Sequence, residues 1–353
     1  MQGDQYPHAP VVGDGTVYLP TLSGLSARDP ADGTQLWTTP ARHECKGPVA
    51  VGESTVVYLA KDTVARSAVL VAADRADGAV VWTRSEDVTA NVASGGLSLA
   101  GDDRFLAGRG GVLALTAGGE RAWHRRLVDP DPSRAVDLVR PAVSDDRVFT
   151  FERRGSGPVY ALDRATGETE WSAGLDLPAD WSLAFAPVVG EEFVFVVAEG
   201  GGQRALDGDA GTPAPPPKPM LFAVDREEGT VERQWTLPGQ VRGPPAVADG
   251  VLFAGTFAFA PDGPAGVHAV DVASWSHRWS ATASGSLTVG PPAVTPDAVY
   301  AAQGQAVVRL DVADGSTRWS EVFDSAVGAP VVADGTLLTH QPSEGGSTIL
   351  AVR

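Results

Sequence analysis

The sequence predicts an all-β chain folded as an eight-bladed β-propeller of four-stranded antiparallel blades, with a seven-bladed ring as the alternative. Three observations carry the prediction. A lead of proline and small apolar residues recurs along the chain, and a signature of turn residues and tryptophan closes each interval. The runs between are short, β-branched or aromatic, and bounded by Gly, Asp and Pro, which suits strands and not helices.

The lead reads Pro10-Val11-Val12 in the first unit and Pro48-Val49-Ala50 in the second. It returns as Pro141-Ala142-Val143, Pro187-Val188-Val189, Pro245-Ala246-Val247, Pro292-Ala293-Val294 and Pro330-Val331-Val332. The third unit has no proline and opens near Gly96 with Leu97-Ser98-Leu99-Ala100. These positions set blades at about 8–40, 47–85, 94–127, 140–174, 186–238, 243–281, 290–321 and 329–353.

The closing signature is Ala-x-Asp-x-x-(Thr/Asp)-Gly-x-x-x-Trp. It is complete in Ala27, Asp29, Asp32, Gly33 and Trp37; in Ala72, Asp74, Asp77, Gly78 and Trp82; and in Ala161, Asp163, Thr166, Gly167 and Trp171. The third unit is one residue shorter (Ala114, Thr116, Gly119, Trp123), and the fifth reads as two residues longer between Gly229 and Trp235. In the sixth, Trp275 replaces the glycine between Asp271 and Trp279, and in the seventh Arg309 precedes Asp311, Gly315 and Trp319. Glycine accepts the positive φ of a tight turn, and Asp or Thr bonds its own backbone there. The tryptophan on the following outer strand is expected to cover the seam to the neighbouring blade. The eighth unit ends before its turn and tryptophan, so residues 1–6 are expected to complete it.

Lead, spacing and terminal tryptophan together resemble the PQQ-like (quinoprotein-like) repeat family, from about Pro10 to Arg353. Its members include quinone-dependent alcohol dehydrogenases and a propeller lipoprotein of bacterial outer-membrane assembly. The resemblance implies the fold strongly and a function weakly, because these motifs mark turns and seams. It also implies an extracytoplasmic or cell-surface location, with a cytoplasmic one left open.

Charge bounds the partners. The formal net charge is −17, and the basic residues are mostly Arg, with lysine only at Lys46, Lys61 and Lys218. Such a molecule repels nucleic acid and anionic lipid, so neither is expected as a partner, and a monomeric ring is. No run approaches the roughly 18 to 20 apolar residues of a membrane span, so no direct membrane insertion is expected. A chain of 353 residues buries a sizeable core without staples, and the single Cys45 makes no internal disulfide.

Chemistry-bearing motifs are sparse. Quinone enzymes of the family often carry adjacent cysteines beside the cofactor, and this chain has no such pair, so no cofactor is expected. The six histidines show no metal-ligand spacing. His43-Glu44-Cys45, the densest constellation, reads as a solvated loop between blades one and two, and Gly108-x-Gly110-Gly111 reads as a turn.

Asymmetry among the blades says more. Long connections are expected at 128–140, 175–185, 199–220 and 257–264, all on one face of blades three to six. Loops of this length often carry function. Arg134, Trp181, Phe185, Phe257 and Phe259 are therefore candidate partner-binding residues, with core packing of the aromatics as the competing reading. Arginines at 121, 125, 126, 134, 140, 147, 153 and 154 alternate with acidic residues and read as ion pairs on solvated strands. The expectation is a non-catalytic scaffold that binds a protein partner through this face. The alternative is a quinone-dependent dehydrogenase-like enzyme, or a small-ligand sensor, using the central channel.

Overall fold

The computed structural model describes residues 10–21, 23–65, 67–85, 96–101, 103–108, 110–128, 138–152, 157–178, 180–200, 217–257, 265–282, 290–333, 335–343 and 346–352. Every regular element among them is a strand, and the strands form eight antiparallel sheets, the blades of an eight-bladed β-propeller. The seven-bladed alternative does not hold.

The first sheet shows how each is made. Val11–Gly13, Thr16–Thr21, Gly24–Arg28 and Gln35–Thr38 lie side by side in chain order. Gly13 faces Thr16 across a two-residue turn whose Asp14 and Gly15 have φ of 42° and 67°. Two positive φ values define the hairpin turn whose twist matches that of the strands, which is why Asp-Gly stands there. In the last turn the Asp29 carboxylate accepts from the Ala31 amide at 2.7 Å, and the Gly33 amide donates to the Asp29 carbonyl at 2.9 Å. Asp74 and Asp163 hold the equivalent turns in the same manner, with Gly78 and Gly167 at φ of 74° and 73°.

Sheets one to five and seven have four strands. In the sixth, Gln240–Val241 and Ala246–Ala248 both pair with Val251–Phe257, so its first strand is broken in two. The eighth has three strands, Val331–Ala333, Thr336–Ser343 and Gly346–Val352. Residues 1–6, expected to complete it, lie outside the described residues.

Three sequence expectations need correction. His43-Glu44-Cys45 is not a solvated loop: it opens the strand His43–Val51, with His43 and Cys45 buried. Trp181 and Phe185 lie within the strand Trp181–Val189, and Phe257 ends the strand Val251–Phe257, so none of the three sits in a connecting loop. In both long strands the proline lead falls in a bulge, where the register shifts between Cys45 and Val49 and between Ala184 and Val188. Proline is tolerated at a bulge because no ladder amide is needed there, and pairing resumes on its far side. The lead therefore marks an interruption within these strands and not their start.

Contacts divide the chain into two compact units: Met1–Val148 with Asp163–Glu168 and Ser325–Arg353, and Phe149–Leu162 with Thr169–Asp324. In the first, Tyr18 and Leu25 of sheet one share a cluster with Tyr58 and Val71 of sheet two. Val57 and Leu70 meet Leu106 and Leu113 of sheet three, and Val17 and Leu19 meet Leu338 of sheet eight. In the second unit, Phe195 and Leu221 join sheet five to Leu252 of sheet six, and Phe253 and Val267 join sheet six to Val299 and Leu310 of sheet seven. Within each unit these sheets thus bury faces against one another, which a single four-stranded meander lacks the area to do alone.

Candidate functional site

The tryptophans close the seams by one repeated geometry. Trp37 Nε1 donates to the Arg75 carbonyl at 2.8 Å, just beyond the turn aspartate of sheet two. Its ring covers Gly78, where a Cβ would stand 2.5 Å from Trp37 Cε3. Trp82 repeats this with the Ala117 carbonyl and Gly119, and Trp123 with the Arg164 carbonyl and Gly167. Trp171 docks on the Arg226 carbonyl and Gly229, and Trp279 on the Val312 carbonyl and Gly315. The glycine is required twice over, for its positive φ and for the space the indole takes. An aromatic ring on the second strand backs the indole: Tyr18 behind Trp37, Phe105 behind Trp123, Phe149 behind Trp171 and Phe253 behind Trp279, with centroids 5.8 to 5.9 Å apart. Trp319 keeps the backing ring, Tyr300, at 6.2 Å, although the described eighth sheet offers no turn glycine.

Sheet five departs from the pattern. Elsewhere the tryptophan pairs with the signature's first residue, as Ala27 with Trp37 and Ala72 with Trp82. In sheet five Ala223 pairs with Arg233, and Trp235 lies two residues further on, opposite Leu221. The unit is therefore not longer between glycine and tryptophan. Arg233 holds the repeat position, and Trp235 is a different residue on the same strand. The seam is filled from the other side: Trp275, in the turn of sheet six at φ 56°, brings its ring to 6.3 Å from Phe195 and 6.0 Å from Phe193. A tryptophan in the left-handed region is strained, and its aromatic contacts hold it there.

The predicted partner-binding aromatics have different fates. Phe185, at φ 63° in its bulge, packs against the cluster of Phe195 and Leu221. Trp181 pairs with Gly200 at the far end of its strand, half-buried, and a Cβ on Gly200 would meet Trp181 Cε2 at 3.0 Å and Pro217 Cγ at 2.1 Å. The Pro217 carbonyl accepts from Gln240 Nε2 at 2.9 Å, and Gln240 pairs with Phe257. Phe257 is buried beneath the Arg242 guanidinium, 4.5 Å from its ring centroid. Trp181, Pro217, Gln240, Phe257 and Arg242 are thus linked at one end of sheets five and six, and burial raises the Glu199 carboxyl beside them above its ordinary range. Arg134 and Phe259 lie outside the described residues. Of the arginine run, Arg147 pairs with Asp146 at 2.6 Å, and Arg121, Arg125 and Arg126 lie exposed on one strand.

Several polar residues that the sequence did not single out are buried. His268 bonds Thr256 Oγ1 through Nε2 at 2.9 Å and Ser280 Oγ through Nδ1 at 2.8 Å. Burial, with a smaller effect of His277, pushes its pKa down to about 4. Arg104 is fully buried, bonded to Thr55 and 5.6 Å from the Trp82 centroid. Asp62, held by the Ala65 and Val64 amides and by Arg42, has a pKa lowered to about 2. Alternating strand patterns show which residues point inward but not which polar ones find partners there. Among the described residues no group of three His, Cys, Asp or Glu side chains gathers as a metal site.

A family model described as outer membrane protein assembly factor BamB matches residues 4–149, 110–214 and 217–353. The crystal structure of BamB from Moraxella catarrhalis superposes with a TM-score of 0.68 at 17% identity, covering 97% of this chain and 95% of that one. The computationally designed Ika8 protein superposes with a TM-score of 0.69 at 14% identity, over 97% and 95% of the two chains. Quinohemoprotein alcohol dehydrogenase from Comamonas testosteroni gives 0.64 at 16% identity, over 96% of this chain and 70% of that one. No curated protein matches the sequence. At these identities the structural likenesses speak for the fold.

Proposed function

Since the chain belongs to the PQQ-like propeller family described as outer membrane protein assembly factor BamB, we propose that it is a non-catalytic protein-interaction scaffold working outside the cytoplasm. Its partner binds at the ends of blades five and six, where Trp181 and Arg242 lie. The observation that carries this reading is the linked row from Trp181 through Pro217 and Gln240 to Phe257 and Arg242. A half-buried Trp181 and an exposed Arg242 held over the Phe257 ring lose little freedom on binding, and these residue types dominate interface energetics. The extracytoplasmic location rests on family membership.

The test is a photo-crosslinking amino acid placed at Trp181 and, as a control, at Glu228, an exposed turn residue at the opposite strand ends, in cells of the source organism. A discrete crosslinked protein from position 181, absent at 228 and reduced at least five-fold by Arg242→Ala, is expected. The same products from both positions, or none from 181, would overturn the assignment. The enzyme or ligand-sensor reading predicts saturable binding of pyrroloquinoline quinone with calcium to the purified chain, and none is expected.

A further inference from the structure

Two seams of the first unit are locked by an arginine that directly follows the turn aspartate. Arg75 donates from Nη1 to the Gly52 and Glu53 carbonyls of its own sheet's first turn, both at 2.9 Å. It reaches back to the preceding sheet through Nη1 to the Asp14 carboxylate at 2.8 Å, Nη2 to the Gly13 carbonyl at 3.4 Å and Nε to the Tyr18 hydroxyl at 3.1 Å. Arg164 does the same two sheets on. It donates to the Ser144 and Asp145 carbonyls of its own sheet at 3.5 and 3.3 Å, and to the Ala100 carbonyl and Asp103 carboxylate of the preceding sheet at 2.9 and 3.0 Å. In both seams a guanidinium lies between the first turns of consecutive sheets, held by carbonyls from both and a carboxylate from the earlier.

Between sheets five and six the residue after the aspartate is Val272, and the corresponding place is a cleft of about 410 Å³. Its walls include Gly190, Glu191, Phe195, Ala248 and Asp249. Strand register equates Gly190, Glu191 and Phe195 with Gly13, Asp14 and Tyr18, and Ala248 and Asp249 with Gly52 and Glu53. The two sheets also approach in the same way. A Cβ on Gly13 would stand 2.6 Å from Val51, and one on Gly190 3.6 Å from the equivalent Val247. Glu192 adds a further carboxylate to the wall, and the cation there, Arg226, is 3.5 Å from Glu227.

We propose that this cleft is a socket for an arginine side chain presented by a protein partner. It keeps the turn carbonyls and the carboxylate position that hold the Arg75 guanidinium between sheets one and two, with Phe195 in place of the Tyr18 hydroxyl, and lacks the arginine. The planar five-donor fork of arginine matches carbonyls on two sides and a carboxylate on a third, which the point charge of lysine does not. The net charge of −17 draws cationic segments toward it. The socket lies at the opposite strand ends from Trp181 and Phe257 and does not depend on the binding edge proposed above.

The test titrates the ¹⁵N-labelled purified chain with a blocked Gly-Arg-Gly tripeptide and its Gly-Lys-Gly counterpart, following the amide signals of Gly190, Asp249 and Gly250. Saturable shifts at these positions are expected for the arginine peptide, with lysine at least five-fold weaker. Val272→Arg, which supplies the missing side chain in place, should abolish them. Glu191→Gln, a surface change that leaves the backbone acceptors intact, should weaken binding at least five-fold and keeps the test valid should Val272→Arg not fold. Equal affinity for the two peptides, no saturation, or unchanged binding in Glu191→Gln would overturn the proposal.

Discussion

The ring of Trp37 lies over Gly78 so closely that a Cβ there would stand 2.5 Å from Cε3, while the indole Nε1 donates to the Arg75 carbonyl three residues earlier. One side chain of one blade thereby reads both the conformation and the emptiness of a turn in the next, and four further seams repeat the arrangement.

Gly78→Ala tests the contact against the turn itself. At φ 74° an alanine costs about 1–2 kcal/mol for its backbone alone, and displacing the indole adds about 1–3 kcal/mol. Gly101 has φ 58° and nothing within 4 Å of its virtual Cβ, so Gly101→Ala should cost only the backbone share. Denaturation of the two variants should show Gly78→Ala clearly the less stable. Equal losses would mean that the indole contact contributes nothing.

Arg233 and Trp275 form a testable pair. Placing a tryptophan at the repeat position by Arg233→Trp should destabilise the chain, because Trp275 already occupies the seam beside Phe195. Trp275→Gly restores the turn glycine found elsewhere and opens that space. The double variant should then be more stable than the sum of the single effects, by a coupling of at least about 1 kcal/mol. Additive effects in thermal denaturation would show that the two rings do not compete for one place.

His268 should make stability fall in mild acid. Its pKa is lowered by burial from an ordinary 6.5 to about 4, so the folded chain resists a proton that the unfolded chain accepts. Its contribution is complete above pH 6.5, declines as pH falls through the window from 6.5 to about 4, and is lost below it. The total is about 3 kcal/mol. His268→Gln retains a donor and an acceptor for Thr256 and Ser280 but does not titrate. Its stability difference between pH 7 and pH 4.5 should therefore be smaller than the parent's by about 2 kcal/mol, and an identical slope would remove His268 as the cause.

Much of the fold was legible because its determinants are local. Asp14-Gly15 specifies the first hairpin turn, and Asp29 to Gly33 specifies the sheet's last, through positive φ and backbone amides donating to the Asp29 carboxylate and carbonyl within a few residues. Spacing alone failed in sheet five. Counting from Gly229 to the next tryptophan finds Trp235, whereas strand pairing selects Arg233, since what fixes the position is the partner Ala223 across the ladder. The proline leads misled for a related reason: Pro187 can start a strand or sit in a bulge within one, and only the pairing of Trp181 to Ala184 with the next strand decides between them.

The sequence by itself determined the bladed architecture, the turn chemistry and the tryptophan that closes most seams, because each is written in residues that act on their immediate backbone, while the sheets themselves decided for eight blades over seven. Tertiary structure alone decided that Trp275 crosses into a neighbour's seam, that Trp181 and Arg242 reach one edge, and that a cleft opens beside Val272 at the place where Arg75 and Arg164 bridge the turns of other seams. These depend on which sheets meet and on what each presents across the gap, and side chains from distant segments compete for that space only after the chain has folded.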